Sequence, residues 1–186
     1  MAVDELFRKL RAALDFAGVP YMITGSFVSA IHGVPRATHD IDVVIAPTVH
    51  QLDNLIKYFS ESDYYADIDD ALEALRHHSQ FNVIDEHGVW KIDFIIRKDR
   101  PFSIAEFARR RLTTILGISL YAATPEDILL AKLELAKLGD SERQLRDASG
   151  VIAIQGEALD RPYVERWVAA LDLENEWAKA KAFASG

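Results

Sequence analysis

Apolar side chains recur at helical spacing over residues 3–17 (Val3, Leu6, Phe7, Leu10, Ala13, Leu14, Ala17), and Gly18 followed by Pro20 ends the pattern. This predicts an amphipathic first helix. Tyr21-Met22-Ile23-Thr24 is a short apolar run stopped by Gly25, the mark of a buried strand, and Phe27 to Ile31 reads as a short helix before Gly33 and Pro35. After a loop over 34–39, residues 40–46 form a second strand that Pro47 closes. Helices are predicted over 49–59 and 68–75. Strand-like runs over 81–84 and 89–96 are joined by the turn-rich Asp85-Glu86-His87-Gly88, a hairpin connection, so the sheet is expected to be mixed. Beyond Pro101 the pattern turns helical, over about 103–111, 125–138, 141–155 and 161–183, with only Ile115 to Tyr121 resembling a strand. The fold class expected is α/β (α+β): a mixed sheet flanked by helices over residues 1–100, and a mostly helical part over 101–186 packed on it.

Composition narrows the function classes. At 186 residues the chain can bury a real core without staples, and the absence of cysteine removes disulfides, zinc–thiolate sites and cysteine nucleophiles. The first residues, Met1-Ala2-Val3-Asp4-Glu5-Leu6, lack the basic-then-apolar layout of a signal peptide, and charges interrupt every apolar run before it could span a bilayer. A soluble, cytoplasmic protein with no membrane contact is expected. The formal charge of -8 opposes a surface coated with nucleic-acid contacts. Residues 97–111 run against that average, with Arg97, Lys98, Arg100, Arg109, Arg110 and Arg111 set against Asp99 and Glu106. This is the first candidate for a nucleic-acid contact, although a charge run more often simply faces water. Phe102 and Phe107, interleaved with it, are better read as core than as stacking platforms.

The chemistry is concentrated in two places. Gly25-Ser26 closes a strand and opens a helix, the setting in which a small residue, a hydroxyl and free N–H groups can receive phosphate oxygens. Thirteen residues separate Ser26 from Asp40-Ile41-Asp42, which heads the apolar run Val43-Val44-Ile45. On a strand, Asp40 and Asp42 share one face while Ile41, Val43 and Ile45 take the other. Two like charges so close repel unless a cation compensates them, and a metal is the economical explanation. A second Asp-Ile-Asp, at 67–69, is an internal control: it opens a helical pattern, where carboxylates suit the helix dipole without a metal. On the later strand, Trp90, Ile92, Phe94 and Ile96 fall on one face and Asp93 on the other. If the strands are neighbours, Asp93 is a third carboxylate, suited to two-metal phosphoryl chemistry as ligand or proton acceptor. Its alternative is an ion pair with Lys91. His32, His39, His50, His77, His78 and His87 form no metal-ligand pattern; His39 draws interest only as the neighbour of Asp40.

The run from Tyr21 to Ile45, with Gly25-Ser26, Pro35-Arg36-Ala37-Thr38 and Asp40-Ile41-Asp42 in that order, resembles the signature of the DNA polymerase β-like nucleotidyltransferases, and within them the AbiEii and MenT-type toxins. Thr124-Pro125-Glu126-Asp127-Ile128-Leu129-Leu130-Ala131-Lys132-Leu133 resembles that family's lysine-bearing helix, and Arg143-Gln144-Leu145-Arg146-Asp147 its basic-then-aspartate motif. The family's first motif often carries Gly-Gly where this chain has Gly25-Ser26, and some toxin-like relatives do without a clear third strand carboxylate, which ranks Asp93 below the first pair. The resemblance implies a Mg2+ (or Mn2+)-dependent transfer of NMP from an NTP to an acceptor. Gly25, Ser26 and Lys132 would take the triphosphate and Asp40 and Asp42 the metal, Asp93 would assist as metal ligand or base, and Asp147 would sit in the functional pocket. Arg36 and Thr38 would contact nucleotide or brace the loop. It further implies an RNA or tRNA end as acceptor, a toxin-like role and a cognate antitoxin as partner, while the charge of -8 leaves a cationic small molecule such as an aminoglycoside, or a protein hydroxyl, open as acceptor. The alternative is a catalytically inactive nucleotide- or partner-binding protein that keeps the fold.

Overall fold

Strict alternation in Asp40–Ile45 sends Ile41, Val43 and Ile45 into the core with no exposed surface, and the same alternation in Lys91–Ile96 buries Ile92, Phe94 and Ile96. These two strands form the middle of a mixed sheet. The computed structural model describes residues 3–35, 38, 40–61, 64–86 and 90–184. The chain divides into two units: unit 1 comprises Met1–Thr24 and Thr38–Ala122, and unit 2 Gly25–Ala37 and Ala123–Gly186.

Unit 1 holds the strands β1 (Tyr21–Thr24), β2 (Asp40–Ile45), β3 (Tyr64–Tyr65), β4 (Gln80–Asp85), β5 (Lys91–Ile96), β6 (Arg111–Ile115) and β7 (Ile118–Ala122). Their order is β3-β4-β5-β2-β1-β7-β6. β2 runs antiparallel to β1 and parallel to β5, and β4 returns antiparallel to β5. The helices of this unit are α1 (Val3–Ala17), α3 (Val49–Ser60), α4 (Ile68–His77) and α5 (Pro101–Arg109). Phe7, Leu10 and Leu14 of α1 and Leu52, Leu55 and Phe59 of α3 are fully buried, and the Phe59 ring lies 5.9 Å from that of Phe94, itself stacked on Phe81 at 5.3 Å. Local caps set the helix starts. Thr48 and Gln51 form a capping box on α3, and Asp67 accepts from the N–H groups of Asp69 and Asp70 at the head of α4. The Asp-Ile-Asp at 67–69 is thus a helix start, as its context predicts.

Unit 2 is helical: α2 (Gly25–His32), α6 (Pro125–Gly139), α7 (Glu142–Gln155), α8 (Arg161–Ala170) and α9 (Glu174–Ala184). Leu129, Leu130, Leu133, Ala148, Val151, Val164, Leu173 and Ala180 fill its interior. Gly150 sits inside α7, where glycine costs about 1 kcal/mol against alanine. Its reason is a close approach: a Cβ there would lie 3.2 Å from the Val34 backbone nitrogen, and a Cβ on Gly33 would lie 2.8 Å from the nitrogen of Val151 and 2.9 Å from the carbonyl carbon of Gly150. Both obstacles at Gly33 are backbone, so the chain must separate there to admit a methyl group. Gly33→Ala is expected to destabilise the protein by about 2 kcal/mol or more, read as a lowered urea midpoint; an unchanged midpoint would show that this contact yields freely.

Three local expectations are corrected. The helix predicted to reach residue 111 stops at Arg109, and Arg111–Ile115 is instead strand β6, paired with β7 across Leu116-Gly117. Both turn residues have positive φ, 51° and 79°, the geometry that a two-residue hairpin requires. The single helix expected over 161–183 is broken between α8 and α9, where Asp172 takes a φ of 54° and Leu173 is buried. Lys137 of α6 donates to the carbonyls of Leu171 (3.2 Å) and Asp172 (2.8 Å), satisfying acceptors that the break exposes. Asp85, expected in the turn, is the buried last residue of β4; residues 87 and 88 of that turn, and residue 89 expected to open the next strand, lie outside the described residues.

Candidate functional site

In unit 1 the ladder places Asp42 opposite Thr24 on β1 and opposite Asp93 on β5, and Asp93 opposite Asn82 on β4. Paired residues share a face of the sheet, so Thr24, Asp42, Asp93 and Asn82 form a polar row across four strands. Beside it Asp40 pairs with Lys91. The two strands the sequence could only suppose to be neighbours are neighbours, and the face opposite their apolar side carries three carboxylates and one ammonium.

That ammonium is engaged. Lys91 Nζ lies 3.0 Å from Asp93 Oδ2 and 3.8 Å from Asp40 Oδ1. Its pKa is raised above the usual lysine value, chiefly by the hydrogen bond to Asp93 and then by the charges of Asp93, Asp40 and Asp42, against some desolvation. Asp93 is 8 % exposed, and its Oδ1 is buried with no hydrogen-bond partner among the described residues. Also among the described residues, no group of three or more His, Asp or Glu side chains stands ready-made around a metal position. Thr38 shares a hydroxyl contact with the Asp40 carbonyl (3.3 Å) and receives the Asp40 N–H (3.4 Å), which fits bracing of the strand entry. Arg36 and His39 lie outside the described residues.

In unit 2 Gly25 takes a φ of 69°, a left-handed conformation that glycine adopts without strain, and Ser26 follows it in the first turn of α2. Lys132, on α6, is 2 % exposed. It donates to Asp147 Oδ2 and to Gln144 Oε1, both at 2.9 Å and both on α7, and reaches Ser26 Oγ at 3.4 Å. The lysine and aspartate singled out in the sequence are therefore an ion pair, with Ser26 beside them. Gln144 was missed as an individual residue. Its signal was its place three residues before Asp147, on the same helix face.

No family model matches the chain, and no curated protein matches it. Solved structures do. An antigenic nucleotidyltransferase-like protein from Paracoccidioides brasiliensis superposes with a TM-score of 0.56 at 19 % identity, over 93 % of this chain and 89 % of that one. The nucleotidyltransferase-like fold is shown. The antibiotic-resistance factor ANT(2'')-Ia superposes with a TM-score of 0.53 at 17 % identity, covering 92 % of this chain and 95 % of that one. In its crystal complex with adenylyl-2''-tobramycin the figures are 0.52 and 16 %, with 97 % and 96 % covered.

Elsewhere in unit 1, three cations of the basic segment are engaged internally. Arg97 pairs with Asp99 at 3.0 Å, Arg100 donates to the Ser103 hydroxyl and lies 5.6 Å from the Phe102 ring, and Arg110 stands 4.4 Å over Phe107. Phe102 and Phe107 are buried, so they pack rather than offer a stacking surface. A cavity of about 330 Å³ in unit 2, bordered by Ile152, Leu159, Arg161, Val164 and Trp177, contains none of the predicted site residues. Among the described residues no helix is long and apolar enough to cross a membrane.

His32, in unit 2, is a hydrogen-bonding histidine. Its Nε2 donates to the Ala123 carbonyl at 3.0 Å, and Gln155 donates to its own carbonyl at 2.8 Å. Burial pushes its pKa below the usual value, against the opposing pull of the Ala123 carbonyl and Glu126. The neutral form is the folded form, so this contribution to stability is complete above the unfolded pKa of about 6.5 and is lost as pH falls through the folded value. Replacing His32 by Gln, which can still donate to that carbonyl, is expected to lessen the fall in Tm between pH 7 and pH 5. An equal fall in both proteins would contradict this.

Proposed function

We propose that the protein is a nucleotidyltransferase dependent on Mg2+ or Mn2+, transferring NMP from an NTP to an acceptor hydroxyl. The observation that carries this is the Asp42–Asp93 rung with Asp40 beside it, on adjacent strands of a nucleotidyltransferase-like fold. The donor set suits a hard divalent cation: three carboxylates, one of them presenting a buried oxygen without a hydrogen-bond partner among the described residues. Asp40, Asp42 and Asp93 would hold it. Bound there, the cation would supply positive charge to the triphosphate and to the attacking oxygen.

The chain's own groups would do the rest. The acceptor oxygen forms a bond to the α-phosphorus as the bond from that phosphorus to the β-bridging oxygen breaks, and pyrophosphate carries away the electron pair. The hydroxyl proton passes to a carboxylate, for which Asp93 is the candidate. For the phosphate tail, Gly25, Ser26 and Lys132 of unit 2 supply a free backbone approach, a hydroxyl and a point charge, and Asp147 with Gln144 fixes the direction of that charge. Thr38 braces Asp40.

For the acceptor, the resemblance of the motifs to AbiEii and MenT-type toxins favours an RNA or tRNA end, with a cognate antitoxin as partner. The charge of -8 favours a cationic small molecule, and the ANT(2'')-Ia complex contains such an acceptor in adenylylated form. A silent nucleotide- or partner-binding protein is the second reading, favoured by one observation: Lys91 already compensates Asp93. The test incubates the protein with each of four α-labelled NTPs, Mg2+ or Mn2+, and either total tRNA or an aminoglycoside panel. Label in an acceptor together with pyrophosphate is expected. Metal-dependent NTP binding with neither product would select the silent nucleotide-binding reading, and no NTP binding at all would remove both nucleotide-dependent readings.

A further inference from the structure

Lys91 occupies the place where a cation is needed. It stands two residues before Asp93 on β5 and opposite Asp40 on β2, so a four-membered grid results: Asp40 and Lys91 on one rung, Asp42 and Asp93 on the next. The ammonium lies 3.0 Å from Asp93 Oδ2, and its side chain is 38 % exposed at the end of a flexible four-carbon stem. Like charges on adjacent positions of a sheet are destabilising, and Lys91 stands within 3.0 Å of Asp93 and 3.8 Å of Asp40, where its charge offsets that repulsion.

We infer that Lys91 is a tethered counter-ion that competes with the divalent cation for Asp93 and thereby sets the metal affinity of the site. This rests on the metal-dependent reading above. An ion such as Mg2+ or Mn2+ approaches a carboxylate oxygen to about 2.0–2.2 Å. With the ammonium at hydrogen-bond distance from that same oxygen, the two positive charges would stand close together in a half-buried setting, so ligation through Oδ2 displaces the lysine. The exposed stem gives it water to retreat into. Lys91 thus lowers intrinsic metal affinity while keeping the carboxylates compensated when metal is scarce. It is a positioning residue, acting through Asp93.

The experiment is Mn2+ titration of the full chain, without nucleotide, by calorimetry. Lys91→Met keeps the stem and removes the charge; Lys91→Gln is the second variant should the first fold poorly, and circular dichroism verifies both. Mn2+ is expected to bind either variant at least about tenfold more tightly than wild type, and to raise its Tm by more. Lys91→Arg, which keeps a cation there, is expected to show no such gain. Equal or weaker Mn2+ binding by the Met and Gln variants would overturn the competition while leaving the metal site standing. If neither wild type nor variant binds Mn2+, the metal-dependent reading and this inference fall together. Because the readout is metal affinity, a loss of packing alone cannot produce the expected gain.

Discussion

Lys132→Met is expected to cost the folded protein about 3–5 kcal/mol, the range for breaking a buried ion pair by removing one partner. Both side chains are almost wholly enclosed, 3 % exposed for Lys132 and 10 % for Asp147. Without the ammonium, the Asp147 carboxylate loses its 2.9 Å donor, and the Gln144 oxygen loses a second. Methionine fills a similar volume, so the loss is electrostatic rather than a cavity. Lys132→Met/Asp147→Leu removes both charges and should recover most of the loss, because neither member of the pair is then left buried without the other. Urea denaturation followed by circular dichroism measures each. A single Lys132→Met variant within about 1 kcal/mol of wild type would mean that the pair is as dispensable as a surface one. The stability effect also bears on the proposed phosphate-binding role: activity lost in Lys132→Met must be compared at equal folded fraction. Asp147→Asn, which keeps an oxygen facing Lys132, is the gentler probe of direction.

How much of this was legible follows from where the information resides. Residues 3–17 and 21–24 emerge with their predicted bounds because an amphipathic helix and a buried strand each write their period into consecutive residues. The two Asp-Ile-Asp triplets were separated correctly for the same reason, one continuing into a β-run and the other capping α4. Lys132 was harder. α6 buries Ile128, Leu129, Leu130, Leu133 and Ala136 together with Glu126 and Asp127, so it has little contrast between faces, and periodicity alone leaves a lysine on it free to be exposed. Only the family resemblance marked it.

The remaining features are tertiary. The β6–β7 hairpin turns through Leu116-Gly117, which lacks the Asn-Gly or Asp-Gly that advertises such a turn, and the α8–α9 break is answered by Lys137, more than thirty residues earlier in the chain. The polar row Thr24–Asp42–Asp93–Asn82 depends on strand register, which no single strand encodes. Each strand could say that its acid faces away from its apolar side. That Lys91 would share the face with all three carboxylates became visible only once β2 and β5 were aligned.

Asp42→Asn is expected to lower kcat/KM for nucleotidyl transfer by about 10³-fold, comparable to removing one preorganised electrostatic contact to a transition state, while leaving the fold as stable as wild type or more so. The two effects share one cause. Asp42 stands opposite Asp93 on adjacent strands, with Asp40 two residues away, and like charges paired across a ladder oppose folding. Neutralising one without changing its shape relieves that repulsion, against the loss of its attraction for Lys91, and removes a proposed metal ligand in the same step. The natural control is Asp67, the first acid of the other triplet. Asp67→Ala deletes the cap that accepts from the N–H groups of Asp69 and Asp70, so it should cost about 1 kcal/mol of stability and leave turnover near the wild-type value. One acid then serves function at the expense of stability and the other the reverse, although both are written Asp-Ile-Asp. Turnover by Asp42→Asn within tenfold of wild type at equal folded fraction would detach the carboxylate row from the chemistry. A large loss of stability in that variant would show instead that Asp42 is held in place as a structural acid, its charge already compensated within the fold.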